Sequence, residues 1–137
     1  LGTDISARML AQAQRAVYET ERIAPVPEPL RRKYLLKSRD PGRQLVRIVP
    51  ELRRRVAFHP LNFMDRDYRV RETFDVVFCR NVLIYLDQPS RRKVIDTFHR
   101  KLARRGYLLL GHSESLVNLS TAFELVHLER DMVYRKP

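Results

Sequence analysis

Phe74-Asp75-Val76-Val77-Phe78-Cys79-Arg80-Asn81-Val82-Leu83-Ile84-Tyr85-Leu86-Asp87 is the stretch on which the reading of the fold turns. It opens as an apolar, β-branched run and changes abruptly at Cys79-Arg80-Asn81. A short apolar run that ends in hydrogen-bonding groups predicts a buried parallel strand. Its polar groups then sit at the strand's carboxyl end, where open α/β sheets place their ligands. Arg80 and Asn81 are costly to bury without partners. Beyond them, Tyr85 offers a hydroxyl on a rigid ring. On pattern alone, a strand followed by an ordinary polar loop also accounts for the stretch.

Downstream, Asp87 to Ser90 start a helix, with Pro89 tolerated in its first turn. Val94, Ile95, Phe98 and Leu102 form its buried stripe. Arg91, Arg92, Lys93, Arg100, Lys101, Arg104 and Arg105 cover the solvated side, and Gly106 is expected to end the helix as a left-handed cap. Tyr107–Gly111 is a second apolar strand with His112-Ser113-Glu114 at its carboxyl end. That run invites a hydrolase-triad reading, but sequence neighbours rarely have triad geometry and no nucleophile-elbow glycines surround Ser113. These residues read instead as loop-shaping polar groups near the site. Phe123–Leu128 and Met132–Arg135, separated by residues 129–131, predict a terminal hairpin.

Upstream, Leu1-Gly2-Thr3-Asp4 resembles a strand end, and Ser6 is a good N-cap. Met9, Leu10, Ala13, Ala16 and Val17 follow at helical spacing. Asp4 therefore stands between a strand end and a helix start, where nucleotide-binding α/β folds use an acid to accept from ribose hydroxyls; a simple capping pair is the other reading. Residues 24–29 form a proline-rich connector, and a short helix over roughly 28–34 follows. Residues 34–37 and 44–49 read as strands, with turn chemistry over 39–43. Residues 56–63 return to the main sheet and place Asn62 and Phe63 at its carboxyl end. His59, before Pro60, reads as a strand residue.

The 137 residues suffice for one domain with a core, and 44% hydrophobic with 31% charged residues is a globular composition. No apolar run approaches the roughly 18 residues of a membrane span, so no membrane insertion is expected. No export signal is visible, and the single Cys79 fits a reducing cytoplasm. Four scattered histidines and one cysteine supply no recurring ligand spacing, so no metal site is expected. The net charge is +11, and residues 31–71 concentrate it, with 13 basic and 4 acidic groups. Such a face implies an acidic partner or a solubilising surface. Nucleic acid is favoured by charge alone, since no aromatic platform or recognition-helix pattern supports it, and no nucleic-acid partner is expected.

FDVVFCRNVLIYLD at 74–87 and GYLLLGHSESL at 106–116 resemble the bacterial chemotaxis methyltransferases, the CheR family. TDIS at 3–6, LVRIVPEL at 45–52 and LNFMD at 61–65 extend the resemblance from residue 2 to residue 135. It implies an α/β fold over residues 1–137: a Rossmann-like methyltransferase sheet, partial because the family's first strand and cofactor loop are missing. A terminal antiparallel hairpin and a small inserted antiparallel β-subdomain at 34–55 complete it. It implies S-adenosylmethionine-dependent methylation of glutamates on chemoreceptor cytoplasmic helices, with S-adenosylhomocysteine as product. Asp4 is then a ribose contact and Asn62 and Phe63 face the adenine. Cys79, Arg80 and Asn81 join the cofactor side, while Arg80 and Tyr85 hold the acceptor carboxylate. The Arg-rich subdomain is where some members dock a receptor tether. The alternative is a non-catalytic remnant that docks partners through that subdomain.

Overall fold

The computed structural model describes residues 1–40, 42–129 and 131–137. Pro41, in the turn expected over 39–43, and Arg130, in that expected over 129–131, lie outside the described residues. The chain divides into two compact units, Leu1–Asn62 and Phe63–Pro137.

In the first unit, β1 (Gly2–Asp4) pairs in parallel with β5 (Phe58–Pro60), Asp4 opposite Pro60. Between them α1 (Ala7–Arg15) starts on Ser6, whose hydroxyl accepts from the Met9 amide at 3.4 Å. The sequence spacing carries this helix through Val17, but it stops at Arg15. Ala16 adopts the left-handed conformation (φ 52°), and the β-branched and aromatic Val17-Tyr18 go into a strand instead. That strand, β2 (Val17–Glu19), joins β3 (Leu35–Lys37) and β4 (Leu45–Ile48) in an antiparallel sheet ordered β2-β4-β3. The small β-subdomain therefore draws its third strand from upstream of residues 34–55. Helix α2 (Glu28–Tyr34) follows the proline connector as the sequence predicts, and the single turn α3 (Pro50–Arg53) leads back towards β5.

The second unit is built on a parallel βαβ crossover. Strand β6 (Phe74–Cys79) is followed by α4 (Gln88–Lys101) and then by β7 (Leu102–Leu110), parallel to β6 with Cys79 opposite Leu110. The hairpin β8 (Glu124–His127) and β9 (Met132–Arg135) adds antiparallel to β7, giving the order β6-β7-β9-β8. Asp87 caps α4 by accepting from the Ser90 amide at 2.9 Å. Val94, Ile95, Phe98 and Leu102 are buried against Cys79, Leu83, Leu108 and Leu116.

Three expectations change here. Gly106 is not a left-handed helix cap. The helix ends at Lys101, and Leu102 is already extended. The left-handed residue is Arg105 (φ 63°), and the parallel pairing jumps from Leu102 to Tyr107 across an irregular return. Glycine is needed at 106 for close approach, because a Cβ there would lie 2.9 Å from the Ala103 carbonyl oxygen and 3.1 Å from that of Asp75. Arg104 and Arg105 accordingly belong to β7 and not to the solvated side of the helix. Lastly, β6 is parallel but buried on one face only. Val77 and Cys79 meet the core, while Phe78, on the other face, is 70% exposed. No helix among the described residues is long and apolar enough to cross a membrane.

This asymmetry predicts unequal mutational costs. Ile95→Ala, at a fully buried position, should destabilise the second unit by about 2–5 kcal/mol. Phe78→Ser should stay within about 0.5 kcal/mol. Urea unfolding followed by circular dichroism would measure both.

Candidate functional site

Because β6 and β7 run in parallel with α4 between them, their carboxyl ends lie side by side. The loop after β6 carries Arg80, Asn81 and Tyr85; the loop after β7 carries Gly111, His112, Ser113 and Glu114. One side chain ties the two loops together. Glu114 Oε1 accepts from the amides of Val82 (2.9 Å) and Leu83 (2.8 Å), and Oε2 accepts from Asn81 and Gly111 (both 2.8 Å). Asn81 is left-handed (φ 59°) and Val82 right-handed, a succession that turns consecutive amides towards one anion. Asparagine tolerates that conformation better than most residues. Gly111 admits the carboxylate, since a Cβ there would lie 2.6 Å from Asn81 Oδ1 and 2.8 Å from Glu114 Oε2. Partial burial pushes the Glu114 carboxyl up, but its bonds from Gly111, Asn81, Leu83 and Val82 together outweigh that and hold it below the ordinary glutamate value.

The side chains on this frame divide by exposure. Arg80 is exposed and has no ion-pair or hydrogen-bond partner among the described residues. Tyr85, at the end of a 3-10 turn (Leu83–Tyr85), is 82% exposed. Asn81 is also exposed, so neither polar residue after β6 carries a burial cost. Cys79 points the other way, into the core. Burial, and then the nearby Glu114 carboxylate, push its thiol up to about 12, so it stays protonated and uncharged at neutral pH. The thiol is therefore a packing group. Phe63 is likewise committed to packing: its ring meets Phe98 edge-on at 5.4 Å and Tyr68 at 5.9 Å, and its carbonyl accepts from the Tyr68 hydroxyl at 3.0 Å.

In the first unit, the parallel pairing of β1 and β5 brings Asp4 and Asn62 to adjacent carboxyl ends, with the Leu61 amide donating to the Asp4 carbonyl at 3.0 Å. Asp4 is half-buried, and its Oδ1 accepts from the Ser6 amide at 2.8 Å. The carboxylate thus caps the helix entrance, as one of the two sequence readings expected. Asn62 closes the first unit and Phe63 opens the second.

Sequence reasoning placed Glu114 among loop-shaping groups but missed its four partners. Three of them lie 31–33 residues away. It also missed Tyr134, whose hydroxyl accepts from the Leu116 amide at 3.1 Å and lies 3.3 Å from Ser115 Oγ, steadying the far side of the same loop.

Residues 1–132 match the family described as CheR methyltransferase, SAM binding domain. Chemotaxis protein methyltransferase 2 of Pseudomonas aeruginosa is 33% identical over 120 residues, covering 88% of this chain and 43% of that protein. The chemotaxis protein methyltransferase of Vibrio parahaemolyticus is 38% identical over 133 residues, covering 97% and 47%. That of Escherichia coli is 34% identical over 123 residues, covering 90% and 43%. The chain thus spans somewhat under half the length of these relatives. The N-methyltransferase NodS of Bradyrhizobium japonicum, solved with S-adenosyl-L-homocysteine, gives a TM-score of 0.49 at 19% identity over 64% of this chain and 59% of its own.

The Glu114 clamp has a definite pH signature. A carboxyl held below its ordinary value favours the folded loop fully above about pH 4.3, the glutamate reference, and loses that contribution as pH falls through the lowered value. The amide proton shifts of Asn81, Val82, Leu83 and Gly111 should therefore move together in an NMR titration, with a midpoint below about 4.3. Cys79, the other titratable group coupled to this carboxylate, stays protonated throughout that window. Independent midpoints for the four amides would contradict the shared clamp.

Proposed function

The chain belongs to the CheR methyltransferase family, and from that premise we propose that it is the cofactor-binding part of an S-adenosylmethionine-dependent protein-glutamate O-methyltransferase acting on chemoreceptors. The observation that carries the reading is the exposed Arg80, without a partner among the described residues, on a loop clamped at the carboxyl end of β6, with Tyr85 five residues on. Taken residue by residue, the donors suit parts of the cofactor. The Asp4 carboxylate can accept from ribose hydroxyls beside its bond to Ser6, and the Asn62 amide can read an adenine edge. With the Phe63 ring and the Cys79 thiol packed into the core, those two residues would serve the adenine and cofactor side through backbone groups, and Asn81 through its exposed amide.

When bound, S-adenosylmethionine supplies an electrophilic sulfonium methyl. A substrate glutamate is already ionised near neutral pH, since its reference pKa is about 4.3, and needs no strong general base. What remains is to strip water from the carboxylate, hold one oxygen and present the other. Arg80 suits this, because a planar guanidinium grips a carboxylate in two places. The Tyr85 hydroxyl adds a second donor. Positioning of this kind can supply several kcal/mol, up to about 7–11 in ideal cases.

The remainder of the cofactor site is proposed to lie in the part of its relatives that this chain does not span. An open edge on β6 is consistent with a further strand pairing there. Calorimetric titration with S-adenosylmethionine would test the whole reading, on this chain alone and on this chain joined to the uncovered portion of the Vibrio parahaemolyticus relative. Weak or absent binding alone and recovery in the joined protein are expected. Micromolar binding by the 137-residue chain would overturn the division of the site, and no binding by either would overturn the function. In the joined protein, Arg80→Lys should lower kcat on receptor more than it weakens cofactor binding, because Lys loses the fork. Wild-type kcat would remove Arg80 as the carboxylate holder.

The β-subdomain is proposed to dock an acidic receptor segment, such as a tether. It holds a cleft of about 780 Å³ lined by Arg31, Arg32, Lys37 and Arg43 with Glu28 and Asp40. Arg32 and Arg43 pair with Glu28 and Asp40, while Arg31 Nε is buried without a partner. Lys37→Glu with Arg43→Glu, both exposed positions, should slow receptor association on the order of tenfold at low ionic strength and flatten its salt dependence. Unchanged association would leave these cations as solvated surface.

A further inference from the structure

We infer that Glu114 is a positioning residue for methyl transfer: by gathering the amides of Asn81, Val82, Leu83 and Gly111 onto one carboxylate, it fixes the loop from which Arg80 and Tyr85 reach the acceptor. The inference rests on the function proposed above, and it adds a residue that touches neither cofactor nor acceptor.

Arg80 immediately precedes the first clamped amide, and Tyr85 follows the last by two residues. Among the described residues, no side-chain hydrogen bond, ion pair or ring contact holds either of them; Tyr85 is tied through its own amide to the Val82 carbonyl at 3.1 Å. The backbone between them is therefore what sets where both side chains start. That backbone makes a left-handed step at Asn81 and a 3-10 turn over Leu83–Tyr85, and three consecutive amides of the step end on Glu114. An anion is the group that can satisfy them all at once. A glutamine would accept through one oxygen and turn an NH₂ towards amides that are themselves donors. Gly111 completes the arrangement from the β7 side, with no room for a side chain.

Two variants and two readouts test this. In the chain as it stands, Glu114→Gln should speed amide exchange at Asn81, Val82 and Leu83 by roughly tenfold or more, as loss of charge-assisted bonds implies. Exchange in β7 and β9 should be unchanged. In the joined protein the same substitution should lower kcat by about 100-fold, the scale of a misplacement of about 1 Å. KM for receptor and the affinity for S-adenosylmethionine should move far less. Glu114→Asp, which keeps the charge but reaches less far, should recover part of the lost kcat. Ile95→Val, a mild core change outside the clamp, should leave kcat unaltered and serves as the control for general destabilisation. Exchange that rises across the whole second unit, or kcat that falls equally for the Ile95 variant, would make Glu114 structural only and overturn the inference. Faster exchange at 81–83 with wild-type kcat would overturn it too. Failure of the underlying function shows separately, as absence of methyl transfer with Glu114 intact; unaltered exchange at 81–83 in Glu114→Gln would then still refute the clamp.

Discussion

Four backbone amides converging on one carboxylate is the constraint that shapes the site. The donors come from the ends of two parallel strands, and parallel strands must finish on the same side of the sheet. Each loop arrives with amides that the ladder no longer uses. Water could satisfy them, but would leave each loop free to move. Glu114 satisfies them with one group on the loop after β7, so the loop after β6 takes its shape from a residue more than thirty positions later. The cost is partial desolvation of a charge, and the lowered carboxyl pKa shows that the four bonds exceed it. Glycine at 111 and asparagine at 81 follow from the same arrangement, one for space and the other for a left-handed backbone.

The βαβ core was legible because its signals are local. An apolar run, an Asp87 cap with proline behind it, a 3.6-residue stripe and a second apolar run each report on their own few residues. The family resemblance and the hairpin read equally well. What escaped was set by partners distant in sequence. Val17 sits at helical spacing behind Leu10, yet β4 claims it, with Tyr18, for a sheet. Gly106 looks like a helix cap, yet its glycine serves the approach of Ala103 and Asp75. Phe78 looks buried, yet among the described residues nothing covers its face of β6 enough to bury it. Within the site, the expected end of the strand at Cys79 put Arg80, Asn81 and Tyr85 on the loop beyond it but did not show that all three are exposed. The sequence could not show that the Cys79 side chain turns inward, because alternation along a strand does not say which face has a neighbour, nor that Phe63, in a turn beyond β5, packs on Phe98 and Tyr68.

Charge shows the same limit. The cations of the second unit read as one solvated face, but several are structural. Lys93 donates to the carbonyls of Met64 (2.8 Å) and Asp65 (3.1 Å), and Lys101 donates to that of Val70. Lys136 closes the end of α4 through the carbonyls of His99 and Leu102, both at 2.8 Å. A flexible ammonium with three donors suits scattered carbonyls, whereas a guanidinium suits a planar anion. Net charge therefore overstates the basic surface available to a partner.

Arg80 differs from those lysines in having no hydrogen-bond or ion-pair acceptor among the described residues to occupy it. That matters for the chemistry, because a carboxylate gripped too strongly is a poor nucleophile. A guanidinium already paired within the fold would contribute little to holding an acceptor, while one buried with it would hold the acceptor's charge too firmly. An exposed guanidinium on a rigid loop lies between these limits. In the proposed reaction, its hold on the acceptor carboxylate would strengthen only as the incoming substrate excludes water from around it. Rigidity then has to come from the backbone and not from the side chain's own contacts, which is the task proposed for the Glu114 clamp.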